Sequence, residues 1–315
     1  MKLNYKRTIL VGFAFFLICA FWQAYDTIIP KILTDKFGMT QTLSGIIMAL
    51  DNILALVLLP LFGAISDKSK SPRGRRTPFI LWGTIIAVAA FIALSFVDAA
   101  QLRQIESVSA IDDPAALHEI YRQEASSTLQ TPDGDPFVLE ELFTEEEFAA
   151  IESQLQGDEG TVTNPDYTNY VTPARQACVQ AITHAHPGKL ILFIALLLIT
   201  LISMATFRSP AVALMPDVTP KPLRSRANAI INLMGAVGGI IYLAVAAVMY
   251  PNSKAAGLAH VNYQPLFIVV SAIMFVAVGI LFLTIKEPKL VEEQHALEAE
   301  HPEWNLAEDD GSGGE

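Results

Sequence analysis

Three ionisable side chains interrupt otherwise apolar sequence: Asp26, Asp51 and Arg208. Inside a hydrocarbon layer each costs at least ~2.5–3.5 kcal/mol on insertion scales, so a functional role is the default reading. Trp22, Gln23 and Tyr25 lie close to Asp26 in sequence, Asn52 follows Asp51, and Asn232 stands in a later apolar run. This set suits a hydroxyl-rich solute. Carboxylates accept hydrogen bonds from hydroxyls, Arg and Asn donate to ring oxygens, and an aromatic face covers a sugar ring. A carboxyl group taken out of water also holds a proton more readily, which makes Asp26 and Asp51 candidates for proton coupling. Each residue has a plainer alternative. Asp26 could end a helix at the outer interface, Asp51 could hydrogen-bond Asn52, and Arg208 could snorkel to inner headgroups.

The elements that must position these residues are read from the length of the apolar runs. The chain has 315 residues, of which 52% are hydrophobic, and a mean hydropathy of +0.41. Its apolar residues gather in six runs, at 8–29, 43–65, 78–97, 189–207, 227–249 and 265–285. Each is near the ~20 residues that cross a ~30 Å hydrocarbon core as a helix. Backbone polar groups find no partner in lipid, so these runs are expected to be helices. The first follows the basic start MKLNYKRT but is too long for a signal-peptide core and lacks a small-residue cleavage site, so it is read as retained. A net charge of −11 argues against a nucleic-acid partner. The lipid bilayer and a small solute are the partners expected instead.

Lys and Arg fall unevenly between the two sets of loops. Thirteen lie in 1–7, 66–77, 213–226 and 286–315, against seven in 30–42, 98–188, 250–264 and at Lys189. Short cytoplasmic loops carry the basic excess, so both termini are expected in the cytoplasm of a multi-pass plasma-membrane protein. The chain then divides into helices 1–3 (1–97) with a basic loop at 66–77, an acidic extracytoplasmic insert (98–188), helices 4–6 (189–286) and an acidic tail (287–315). The insert reads as mostly helical. Asp113-Pro114 begins one helix, Thr144 and Glu147 form a capping box with Gly157 as the stop, and Thr172-Pro173 begins a third. It is expected to be a small lid or a partly ordered loop. The tail, ending in a Gly/Ser run, reads as a linker. His184 and His186, two apart on a helix, do not share a face, and no metal site is expected. Cys19 lies in a span and Cys178 in the insert, so they are not expected to pair.

The basic loop carries a specific pattern. Gly63 and Asp67 close the second run, and Arg73, Gly74, Arg75, Arg76 and Pro78 open the third. A G-x-x-x-D step, a basic loop with R-G-R-R and a new span resembles the loop signature of the major facilitator superfamily. In the longer form SDKSKSPRGRRTPFI it is similar to the glycoside–pentoside–hexuronide:cation symporters and the sucrose-transporter group. The stretch 208–240 agrees, with Asp217-Val218-Thr219, then Arg224 and Arg226, then Ala227-Asn228-Ala229 opening the next helix. The resemblance takes in the six spans but not the insert.

The resemblance implies an all-α membrane protein forming one six-helix half of a facilitator fold. It implies that Gly63, Asp67, Arg73, Gly74, Arg75, Arg76, Asp217, Arg224 and Arg226 build a cytoplasmic gate, with Asp217 a partner for Arg73, Arg75 or Arg76. It implies a second six-helix half: a separate chain, a second copy or a C-terminal part. The implied activity is secondary transport of a sugar or glycoside, with a proton gradient in place of a cofactor. The two acidic residues of sodium-coupled relatives align with Ala55 and Leu59 here, which disfavours sodium. No nucleophile–base pair, metal spacing or phosphate loop points to an enzyme. The alternative is a transport-inactive sensor or scaffold whose insert binds a partner.

Overall fold

The computed structural model describes residues 3–157, 160–251, 257–302 and 304. Six helices are long and apolar enough to cross a membrane. They are α1 (Tyr5–Lys31), α2 (Gln41–Asp67), α3 (Thr77–Gln104), and, after the insert, α8 (Gly188–Asp217), α9 (Arg224–Met249) and α10 (Gln264–Thr284). All six expected runs are present. Most of the helices are longer than the apolar run that predicted them, because the helical ladder continues into the residues flanking each run.

Neighbour relations put the helices in the order α9–α1–α10–α3–α8–α2, with α1 also touching α8. Small residues set the closest approaches. A Cβ at Gly235 would lie 2.9 Å from Cys19 Sγ, and one at Gly238 would collide with the Phe16 backbone, so α9 lies tight on α1. Gly83 does the same for α3, where a Cβ would sit 3.0 Å from the Ser203 carbonyl of α8. α10 fills the space between α1 and α3, with Phe267 and Phe91 rings 4.5 Å apart. α2 and α9 stand at the two ends of this order. Their outward faces are rich in exposed apolar side chains, among them Leu56, Val57, Leu233 and Ile240.

Pro30 interrupts the end of α1, and the chain continues as a π-helical turn, Ile32–Lys36. Proline supplies no N–H to the ladder, which is where wider turns are tolerated. Gly38, at φ +67°, then stops the helix as a left-handed residue.

The insert is a folded module with its own core, in which two short hairpins accompany the expected helices. It contains α4 (Pro114–Glu124), a hairpin of β1 (Thr128–Gln130) and β2 (Pro136–Val138), α5 (Leu139–Leu142) and α6 (Glu145–Ala149). A second hairpin, β3 (Gln154–Gly157) with β4 (Gly160–Thr163), and α7 (Thr172–Ala185) complete it. The capping box at Thr144 and Glu147 is formed, and Asp113 caps α4. Gly157 is not the stop that the sequence suggested: α6 ends at Ala149, and Gly157 closes β3. Leu117, Ile120, Phe148, Val171, Cys178 and Val179 pack a second apolar cluster separate from the bundle core.

The start of the tail is also ordered. Residues Glu287–Glu300 form α11, lying against the end of the bundle that carries the basic loop. The Gly/Ser end of the tail and Lys254 lie outside the described residues.

Candidate functional site

Two clusters hold the residues singled out by sequence. The first lies within the bundle. Trp22 of α1, Asp51, Leu54, Ala55 and Leu59 of α2, and Leu201, Ala205 and Arg208 of α8 line one cavity of about 10 Å³, the room of a single water. The Arg208 guanidinium carbon lies 5.4 Å from the Trp22 ring centre, a cation–π distance. Asp51 accepts a hydrogen bond from the neighbouring Asn52 amide at 2.9 Å, so that bond lies within α2 and ties no second helix. The Trp22 indole N–H is buried without a partner, as is the Tyr25 hydroxyl. Trp22 packs edge-on to Phe21 and Tyr25, each 5.3 Å away. Arg208 and Leu59 also line a wider groove of about 460 Å³ with Ser209, Val212, Ala213 and Pro216, on the side towards the basic loop.

Five predicted residues do not line this cavity: Tyr25 and Asn52, which adjoin its lining residues, and Asp26, Gln23 and Asn232, which lie elsewhere. Asp26 is exposed on α1, close enough to Asp51 to feel its charge but not a lining residue. Gln23 turns to the α9 side, where Gly239 is its neighbour. Asn232 is exposed on α9, one residue round from the buried line of Ile231, Gly235 and Gly238, and its amide bonds to Asn228 at 3.2 Å. The physical reason is rotation. Counting residues fixes depth along a helix, whereas the facing direction is set by the neighbours.

The second cluster closes the basic end. Arg76, 6% exposed, is its centre. Its guanidinium pairs with Asp67, donates from Nε to Asp217 at 2.8 Å and from Nη1 to Ser66 Oγ at 2.6 Å. Arg75 approaches Asp217 at 3.6 Å. Arg73 does not join Asp217; its guanidinium lies 4.7 Å from the Phe282 ring centre of α10. The carboxylates on Arg76 outweigh the burial that opposes its charge, and its pKa is raised above the usual guanidinium value. Gly63 allows α2 to approach α8, since a Cβ there would meet Ser209 Oγ at 2.9 Å. Arg224 donates to the Thr219 and Pro216 carbonyls at 3.2 and 3.0 Å and reaches Glu298 at 3.8 Å. Arg226 is exposed on the same helix, away from these carboxylates.

Sequence reasoning missed the carboxylate that organises this end. Glu287, 1% exposed, accepts bonds from the backbone N–H groups of Arg75, Arg76 and Thr77 at 2.7, 2.9 and 2.7 Å, and from the Thr77 hydroxyl at 2.7 Å. It caps the start of α3, where unpaired N–H groups and the helix dipole favour an anion. Gly74, at φ +110°, sits against it, and a Cβ at that position would overlap the Glu287 carboxylate. The only local signal was an acid directly after the sixth span. A second omission is Lys36 with Asp98, joined at 2.6 and 2.8 Å with side chains 1% and 0% exposed.

Comparison with known proteins follows the same division of the chain. A family described as MFS/sugar transport protein matches residues 10–101, and one described as Major Facilitator Superfamily matches residues 177–306. Together these stretches take in all six long helices and leave out most of the insert. A putative glycoside/cation symporter, YagG of Escherichia coli (strain K12), is 34% identical over 68 residues, covering 21% of this chain and 15% of that protein. The matched stretch is thus a small part of the relative's length. No solved structure matches the chain. With its six apolar helices, its G-x-x-x-D and R-G-R-R loop closed on Asp217, and family matches on both sides of the insert, the chain belongs to the major facilitator superfamily, as a multi-pass membrane protein.

Proposed function

We propose that this chain forms one six-helix half of a secondary transporter that moves a sugar or glycoside together with protons by alternating access. The observation that carries this reading is the cavity shared by Trp22, Asp51 and Arg208. A carboxylate, a guanidinium and an aromatic face are brought together from three helices that are otherwise apolar. Such sites in secondary transporters lie near mid-depth, where two halves meet. The α2 and α9 edges, with their exposed apolar faces, are where a second half would pack, whether it is a separate chain, a second copy or a C-terminal part.

Protons fit the site better than sodium. Ala55 and Leu59 both line the cavity and supply no oxygen ligand, which leaves Asp51 as its one carboxylate. A hard cation prefers several oxygens, whereas a proton needs only one. The name of the E. coli relative supports a glycoside as the solute. The Asp67–Arg76–Asp217 cluster, with Glu287 behind it, serves as the cytoplasmic gate, and both termini lie in the cytoplasm of a plasma-membrane protein. This is transport, with no catalytic step.

The test is proton-gradient-driven uptake of a panel of sugars and glycosides by cells expressing the intact transporter. Asp51→Asn or Arg208→Gln should reduce uptake at least ~10-fold, the scale of losing a charge-assisted hydrogen bond. Uptake unchanged in both variants overturns the reading. The folded insert favours the rival, a sensor or scaffold. In that case both variants would leave partner binding by the insert intact and there would be no uptake to lose.

A further inference from the structure

The junction between the insert and the outer ends of α1 and α2 holds a cavity that the transport reading does not use. Its volume is about 220 Å³, and Thr34, Asp35, Gln41, Thr172, Arg175 and Gln176 line it together with Ala259 and His260. Thr34, Asp35 and Gln41 are shared with a second groove of about 540 Å³, which continues between α1 and α2 past Ser44 to Met48, one turn from Asp51. The junction therefore opens onto the seam leading towards the bundle cavity.

We infer that this junction is a binding site for a small carboxylate-bearing, hydroxylated solute, with Arg175 as the group that receives the carboxylate.

Arg175 is 5% exposed. One terminal nitrogen donates to the Ile111 carbonyl at 3.1 Å, and its guanidinium carbon lies 5.7 Å from the Tyr167 ring centre. Its Nε is buried with no partner. Among the described residues no carboxylate lies within ion-pair distance of it; Asp112 acts on it only at longer range and is itself engaged by the Ser153 N–H and hydroxyl. A buried guanidinium without a counter-ion is an expensive arrangement that an anionic ligand relieves.

Among the described residues near the junction, Lys36 and His260 are occupied or uncharged, and Lys31 stands exposed on the wall of the second groove. Lys36 is held by Asp98. Burial and the nearby Arg175 and Lys36 push the His260 pKa down to about 4, so it is neutral at physiological pH and its Nδ1 pairs with Ser109 Oγ at 2.8 Å. Asp35 is exposed on the cavity wall, in the field of Lys31 and Lys36 rather than of Arg175. The lining is thus polarised: a guanidinium for a carboxylate on one part, and a carboxylate, amides and hydroxyls for hydroxyl groups on the rest. Two π-helical turns border it, Ile32–Lys36 and Tyr167–Val171. Such turns in otherwise regular helices recur at functional sites.

The inference rests on the transport reading only in taking the junction as the outer mouth of the polar path; binding there does not require transport. The test is calorimetric titration of the full chain in lipid nanodiscs with gluconate and with sorbitol, which differ only in the carboxylate. Gluconate should bind roughly ten times more tightly than sorbitol, and Arg175→Gln should abolish that difference. Because Arg175 also holds the Ile111 carbonyl, Gln41→Ala, at an exposed position, is the second variant and should weaken gluconate several-fold with unchanged thermal unfolding. Asp51→Asn should leave gluconate binding intact even where it abolishes uptake, which separates failure of this site from failure of the transport reading. Equal binding of gluconate and sorbitol, no binding of gluconate, gluconate binding unaffected by either junction variant, or its loss in Asp51→Asn would each overturn the inference.

Discussion

Lys36 and Asp98 form a contact that decides whether the outer end of the bundle holds. The ammonium donates to both carboxylate oxygens, and both side chains are buried. The Tyr263 ring lies 4.8 Å from the same ammonium, and Gln101 donates to the Lys36 carbonyl at 2.9 Å. Such a pair roughly breaks even against an apolar replacement, but breaking it leaves an uncompensated charge. Asp98→Asn is therefore expected to destabilise the protein by about 3–5 kcal/mol, read as a fall in the unfolding midpoint in detergent. Replacing both partners with Lys36→Met and Asp98→Leu should recover most of the loss. The pair was hidden in the sequence because Asp98 directly follows an apolar run and Lys36 falls in the segment between two runs, positions where a charge reads as loop. Asp51, Arg208 and Trp22 were legible for the opposite reason: charge well inside an apolar run has few bland explanations.

At the scale of elements, α11 and the insert are each held by a few buried polar contacts. Glu287 anchors α11 through the N–H groups at the start of α3, and Arg7 adds bonds to Glu293 and to the Leu290 carbonyl at 3.2 and 3.4 Å. Glu287→Ala strands those buried donors, a cost of about 1–3 kcal/mol. Faster amide exchange across 74–78 and 287–300, with α7 unchanged, is the expected readout. The insert is tied down partly by His260. Its folded-state pKa near 4 lies below the unfolded value of 6.5. The unfolded chain thus binds a proton that the folded one refuses, so this contribution is complete above pH ~6.5 and is lost between ~6.5 and ~4, about 3 kcal/mol in all. Unfolding midpoints at pH ~7 and ~4.5 should differ less in His260→Asn than in the wild type. The groups facing His260 are Arg175 of α7, Lys36 and the Asp35 backbone after α1, and Ser109 after α3. The helices of this region were legible where caps mark them, at Asp113 and Thr144. The hairpins were not, since three- and four-residue strands are too short to show a period of two. Nor could local sequence announce Glu287, whose partners lie 210–212 residues away.

For the whole molecule, run length and charge bias specify six helices, and the loop motif specifies the family. What they leave open is rotation, and rotation decides which polar residues meet. Asp26 and Asn232 lie in the same bundle as the cavity residues yet are exposed away from the cavity. The central claim is that Trp22, Asp51 and Arg208 enclose a polar path that water reaches in some state of the cycle, while the outer faces of the bundle meet lipid. The direct measurement is reaction with a water-soluble thiol reagent. Single-cysteine variants Trp22→Cys, Asp51→Cys and Arg208→Cys would be made in a chain with Cys19 and Cys178 replaced, with Phe275→Cys and Leu283→Cys as lipid-facing controls, both sites being exposed on α10. Reaction at 22, 51 and 208 with none at 275 and 283 is the result predicted. Positions 22, 51 and 208 as unreactive as the two controls would contradict the claim.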